Sequence, residues 1–262
     1  MANAAAGPGS SLTTRISVVV LTAVLYAAGK GITAVVPTPF HVGQLLIGLF
    51  IPAFLAVVCE TAPVAAGAGI GTFIGDLAFL VPVGATTPWL SLTAGVPANF
   101  IAFYLFGWFV KRYRSWSAFV AATVSFVTLG NLIAAVMVVW VLGLPADVIV
   151  GLTIFWNATS VPAVIIAVPI LVRAVRPLFG RSRVLTYDPQ WLGESTMMQR
   201  ALALGFALVF LVMGAAFFLL AAPNLLGLNV ETYAIAAALV LIFAPIASVM
   251  AGSRVQAKPA AS

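Results

Sequence analysis

Charge is scarce in this chain: Asp, Glu, Lys and Arg make up 7% of its 262 residues, against 63% apolar residues and a mean hydropathy of +1.17. So little polar surface cannot coat a soluble globule, and the composition reads as a multi-span protein of the lipid bilayer. Cysteine is nearly absent too, and the single Cys59 excludes an intrachain disulfide framework. With His41 the only histidine, soft ligands are too few for a dedicated transition-metal site, so neither a metal nor a cofactor is expected and a nickel or cobalt carrier is disfavoured. No Gly-x-x-x-x-Gly-Lys-[Ser/Thr] occurs, so any ATP hydrolysis has to come from other chains. No nucleophile sits beside a base and no His, Cys, Asp or Glu recur at ligand spacing, which argues against an enzyme. The net charge of +6 is not gathered beside aromatics, so nucleic acid is not an expected partner.

What is abundant is apolar sequence in runs long enough to cross a bilayer. After a small, polar tail (residues 1–14), such runs extend over about Ile16 to Val36, Val42 to Val58, Ala62 to Val81, Leu90 to Val110, Ser117 to Leu142 and Ala146 to Val172. Each is near the roughly 20 residues a span needs, and Pro, Gly or charge interrupts the chain between them. The first run has the makings of a signal peptide, but apolar sequence resumes after Lys30 and makes it long enough to span. Residues 177–199 form the longest polar interval and the expected linker. Two more runs, within residues 200–253, and a short tail (254–262) complete the chain. The expected fold is all-α: a membrane bundle of six helices (residues 15–176) plus two.

Placing the N-terminus inside puts Arg15, Lys111, Arg112, Arg114, Arg173, Arg176, Arg181, Arg183, Arg200, Arg254 and Lys258 on the cytoplasmic side, eleven of the twelve basic residues. Only Lys30 then lies outside, and this positive-inside bias predicts both termini in the cytoplasm. Asp76, Asp147 and Glu231 fall toward the outer face and Glu60 at the inner one.

Two ridges of small residues stand out. Gly67, Gly71 and Gly75 recur at i, i+4 and i+8, a helix face without side chains that admits another helix to backbone contact. Their Gly-x-Gly spacing does not match a dinucleotide-binding turn. Ala23, Ala27 and Gly31 repeat the same spacing in the first helix, which suits packing within the bundle or docking of another membrane subunit. Asp76 ends the glycine ridge, and an ionisable group in so apolar a segment marks a membrane boundary or a functional site.

Three amides give a candidate binding site. Asn99 is nine residues from Leu90, Asn131 eleven from Leu142 and Asn157 eleven from Ala146. At about 1.5 Å per residue, all lie roughly 14–16 Å deep, about halfway through the hydrocarbon. At that depth they must pair with one another, with backbone or with a ligand. Trp140 and Trp156 are near the same helices, as flat walls or interfacial anchors. With Asp76 and His41, these are the substrate-binding candidates. His41 lies in the Pro- and Gly-rich stretch from Pro37 to Gly43, which cannot be helical throughout. Few outward cations and several amides favour a neutral or cationic heterocycle over a polyanion.

Several of these features occur together: Ala23-x-x-x-Ala27, the Pro- and Gly-rich loop before Gln44, Gly71-x-x-x-Gly75-Asp76, the run Gly95-Val96-Pro97-Ala98-Asn99, and Lys111-Arg112-Tyr113-Arg114. The chain from residue 15 to 176 thereby resembles the substrate-binding membrane subunit, or S-component, of energy-coupling factor transporters. The resemblance implies capture of a vitamin or similar micronutrient and work with a transmembrane coupling subunit and two cytoplasmic ATPase subunits. It implies that Ala23 and Ala27, extended by Gly31, meet the coupling subunit and that the His41 loop is a lid. The last two helices depart from this pattern. The alternative is an ion-coupled secondary transporter or channel using Asp76 or Glu60.

Overall fold

A computed structural model describes residues 11–36, 38, 40–193, 201, 205, 208–210 and 212. Among them the chain is helical, without strands. We number the helices α1 (Leu12–Thr33), α2 (Ile47–Val58), α3 (Thr61–Leu80), α4 (Pro88–Tyr113), α5 (Trp116–Leu142) and α6 (Asp147–Leu178). All but α2 are long and apolar enough to cross a bilayer, which makes this a membrane helix bundle.

Local chemistry sets the helix ends. Ser11, Thr87 and Ser115 accept backbone N–H bonds from Thr14, Leu90 and Ala118 at the starts of α1, α4 and α5. At the end of α5, Gly143 takes the left-handed conformation that glycine reaches without strain. Three helices contain a wide turn of the i→i+5 type: Asp76–Leu80 in α3, Ser91–Gly95 in α4 and Thr123–Val127 in α5. Such turns are rare and concentrate at functional sites.

The glycine ridge of α3 packs on α1, as its spacing predicts. A Cβ on Gly71 would stand 2.7 Å from the Ala23 carbonyl oxygen, and one on Gly67 would stand 2.6 Å from the Thr22 Cβ. Ala27 lies in the same way beside Gly75, and the Phe79 ring covers Gly31. The Ala23 and Ala27 face of the ridge is therefore packed against α3 within the chain, the internal one of its two readings, and Gly31 lies under the Phe79 ring. Lipid-side positions of α1 are bulky instead, among them Ile16, Val20 and Val24.

One correction concerns the run from Val42 to Val58. Its helix, α2, has three 3₁₀ and nine α-helical residues, about 18 Å at about 1.5 Å per residue, short of the roughly 30 Å hydrocarbon. The residues before it are irregular because side chains hold them elsewhere: Gln44 donates to α1, and Trp156 of α6 donates to the Gln44 carbonyl. Irregular backbone survives at membrane depth where it is buried in protein or lines a cavity, and Val42 to Gln44 line one.

The half of the bundle near Arg15 is filled. Phe106 meets Phe119 edge-on at 6.1 Å, and Phe109 meets Phe126 at 5.6 Å. The stretch expected as a linker packs here: Leu192 is buried in the main core, Phe179, Val184, Leu185 and Trp191 lie against it, and the Tyr187 N–H donates to Val58. Lys111 and Arg114 both sit over the Tyr187 ring. The two further helices expected within residues 200–253 lie outside the described residues, apart from a few positions such as the buried Phe210.

Candidate functional site

The opposite half of the bundle is hollow. A cavity of about 80 Å³ lies between α1, α3, α4, α5, α6 and the irregular segment before α2. All three wide turns contribute to its wall, through Asp76 and Leu80, through Ser91, Ala94 and Gly95, and through Val127. Two of the turns begin at Asp76 and Ser91, whose side chains meet across the α3–α4 contact.

One wall carries charge. Lys30, in the last turn of α1, and Asp76 of α3 are 5% and 4% exposed, and the ammonium lies 2.5 Å from Asp76 Oδ1. Ser91 Oγ donates to Asp76 Oδ2 at 2.6 Å. These are the charged side chains of the lining among the described residues, so the pair leaves the wall formally neutral. Burying two charges is expensive, and close pairing with added hydrogen bonds offsets the cost. The α1–α3 contact pairs Lys30, the one basic residue expected on the outer side, with Asp76 at the cavity.

The other wall carries amides. Asn131 Nδ2 donates to Asn157 Oδ1 at 2.8 Å and to Ser160 Oγ at 3.2 Å, while Ser160 Oγ donates to the Trp156 carbonyl. The expected amide cluster thus holds for two of its three members. Asn99 lies apart from that pair, accepting from Tyr26 OH at 3.2 Å and donating to the Gly95 carbonyl at 2.9 Å. It still lines the cavity together with Asn131, whereas Asn157 stands behind Asn131.

The roof is the segment from Val42 to Leu46. Gly43 N–H donates to Ala85, the Trp156 indole N–H to the Gln44 carbonyl, and Gln44 Nε2 to the Lys30 carbonyl at 2.8 Å and to Thr33 Oγ1 at 3.0 Å. Gln44 is 1% exposed, and its Oε1 has no hydrogen-bond partner among the described residues. A buried acceptor left in that state costs on the order of 1–3 kcal/mol. Spacing did not single out Gln44, Lys30 or Ser91. The signal for Gln44 was its place directly after the Pro- and Gly-rich loop.

Two expected residues are elsewhere. Trp140 is 76% exposed on the outside of α5, and no cavity lining includes it, so it stands as an interfacial aromatic and not as a wall. His41 is exposed at a turn with φ of 58° and does not reach the cavity. Trp156 lines the cavity, with its ring against Gly43. Glu60 lies at the other end of the bundle, paired with Arg15 at 2.9 Å. Among the described residues no three His, Cys, Asp or Glu come together.

Comparison with known proteins adds no relative: no family model, curated protein or solved structure matches the chain.

Proposed function

We propose that the chain is a substrate-capturing membrane subunit of the energy-coupling factor type, taking a vitamin-like molecule from outside and passing it on within an ATP-driven complex. The observation that carries the proposal is the cavity: an apolar chamber with a few convergent polar groups, set in the half of the bundle away from the basic end. With the basic end in the cytoplasm, the cavity opens toward the outside, as capture requires. Its about 80 Å³ is below the roughly 300 Å³ of sites that hold drug-sized ligands, so a whole vitamin needs the 42–46 roof displaced. Energy then comes from two ATPase subunits through a coupling subunit that meets a face other than Ala23–Ala27.

The test is affinity purification in mild detergent with mass spectrometry of proteins and small molecules. Recovery of a coupling subunit, ATPases and a vitamin is the expected result. A chain that purifies alone and transports without ATP refutes the reading.

One observation favours a second reading. A buried Lys–Asp pair in a membrane bundle is the kind of group that carries protons or cations, so an ion-coupled transporter would run through Lys30 and Asp76. Glu60 is a weaker candidate, since it lies partly exposed at the far end. Uptake that follows an ion gradient and ignores ATP would select this reading.

A further inference from the structure

We infer that the basic end of the bundle holds the phosphate of an anionic phospholipid, at the corner where Lys111 and Arg112 of α4, and Arg114 just after it, meet Tyr187. This corner lies at the end away from the cavity, so the site stands whatever the cavity takes up.

Two cations are gathered on one ring there. Lys111 Nζ is 5.9 Å and the Arg114 guanidinium carbon 5.3 Å from the centre of Tyr187. The two charges are therefore separated by no more than the sum of these distances, about 11 Å, comparable with a Debye length of about 8–10 Å, so salt screens their repulsion only in part. A ring face attracts a cation without neutralising it. Hydrogen bonds fix the arrangement: Lys111 Nζ donates to the Cys59 carbonyl and to Thr61 Oγ1, Arg114 Nε donates to the Lys111 carbonyl at 3.1 Å, and the Tyr187 N–H donates to Val58.

No carboxylate answers this charge. Among the described residues Lys111, Arg112 and Arg114 have no ion pair; Glu60 is paired with Arg15, and Asp188, beside Tyr187, accepts from Gln190. Arg112 and Arg114 are exposed, and so is Arg183, four residues from Tyr187 and thus within about 14 Å of it along the chain. The Arg114 Nη groups make no hydrogen bond among the described residues, which leaves a planar fork of donors of the shape that phosphate oxygens fit.

The surface beside the corner selects a phosphate that carries an acyl chain. Phe100, Tyr104 and Trp108 are 42%, 43% and 51% exposed at i, i+4 and i+8 on α4, and the first two rings stack at 6.2 Å. Arg112 is the next residue at that spacing, about 6 Å beyond Trp108 along the helix. An aromatic track ending in an arginine at the bilayer boundary matches a lipid whose chain lies on the rings and whose headgroup meets the cations. A free phosphate would use the cations alone.

Native mass spectrometry of the full chain in mild detergent tests this by titration with dioctanoyl phosphatidylglycerol. Dioctanoyl phosphatidylcholine, inorganic phosphate and a hexaglutamate peptide serve as comparisons. One phosphatidylglycerol is expected to bind, about tenfold more tightly than the zwitterionic lipid, and Arg114→Gln should weaken it about fivefold. Arg15→Gln removes the same charge from the same end and should leave the affinity unchanged. If Arg114→Gln does not fold, Arg112→Gln, which breaks no hydrogen bond among the described residues, is held to the same fivefold loss. Equal affinity for the two lipids overturns the inference, as does full affinity in the folded arginine variant. An equal loss in Arg15→Gln would overturn it too, since net charge alone would then attract the lipid. Displacement of the lipid by equimolar inorganic phosphate or hexaglutamate would assign the corner to a free anion or an acidic protein instead.

Discussion

The two ends of the bundle use charge in opposite ways. At the basic end, Arg15 and Glu60 pair with side chains 48% and 32% exposed, and the space between helices is filled by phenylalanines. At the other end, Lys30 and Asp76 pair with side chains 7% and 6% exposed, beside a void. A solvated pair is worth about 0–1 kcal/mol, whereas removing one partner of a buried pair costs on the order of 3–5 kcal/mol. Charge at the basic end therefore stays near the surface, and charge at the hollow end is buried against the cavity.

The largest effect should come from breaking the buried pair on one side. Lys30→Met leaves Asp76 as a lone buried carboxylate, and we expect thermal unfolding in detergent to move down by an amount equivalent to about 3–5 kcal/mol. The double variant Lys30→Met/Asp76→Leu should recover most of that loss, since neither charge then remains. A double variant as unstable as the single one would show that the pair does not behave as buried.

Overpacking the seam that joins the ends is next. Ala27→Leu puts bulk where Gly75 lies against the Ala27 backbone, and we expect about 1–3 kcal/mol of destabilisation. A protein that is fully stable but loses only a membrane partner would restore the docking role for this ridge.

At the basic end, shortening the chain sharpens the contrast. Ending it after Arg183 removes Tyr187 and Leu192, which cover the core, so the product should aggregate. Ending it after Gly193 keeps Tyr187 and Leu192 and loses only the buried Phe210 of the described core, so it should aggregate markedly less by size-exclusion chromatography. Equal behaviour of the two would show that residues 184–193 are a linker after all.

Smaller effects separate site from scaffold. Asn131→Leu removes the donor to Asn157 and Ser160 and should cost about 1–3 kcal/mol while weakening ligand binding. Glu60→Gln at the basic end should shift stability by less than about 1 kcal/mol and leave binding unchanged. Burial, partly offset by the neighbouring Lys111, raises the Cys59 thiol to about 11, so the thiolate is scarce at neutral pH. Maleimide should label Cys59 only after unfolding, and ready labelling at pH 7 in the native protein would contradict the burial.

Periodicity and composition were enough for the parts of this protein that depend on one helix at a time. Apolar runs long enough for a bilayer announced the helices, because lipid makes every spanning backbone satisfy its own hydrogen bonds. The Gly67, Gly71 and Gly75 spacing announced a backbone-close partner, because an absent side chain leaves the same gap whichever helix fills it. What no spacing could say was which helix that is; Ala23 and Ala27 offered an equally good face to an outside subunit, and only tertiary packing gave it to α3. The cavity was legible only in part. Asn99 and Asn131 of its lining stood out by depth, since depth is a property of each helix separately. Lys30, Gln44 and Ser91 did not, because their place depends on the packing of α1 on α3, on the irregular segment before α2 and on the wide turn that begins at Ser91. A wide turn shows in the sequence only as a register change with no residue of its own, so the polar wall that it assembles exists nowhere but in three dimensions.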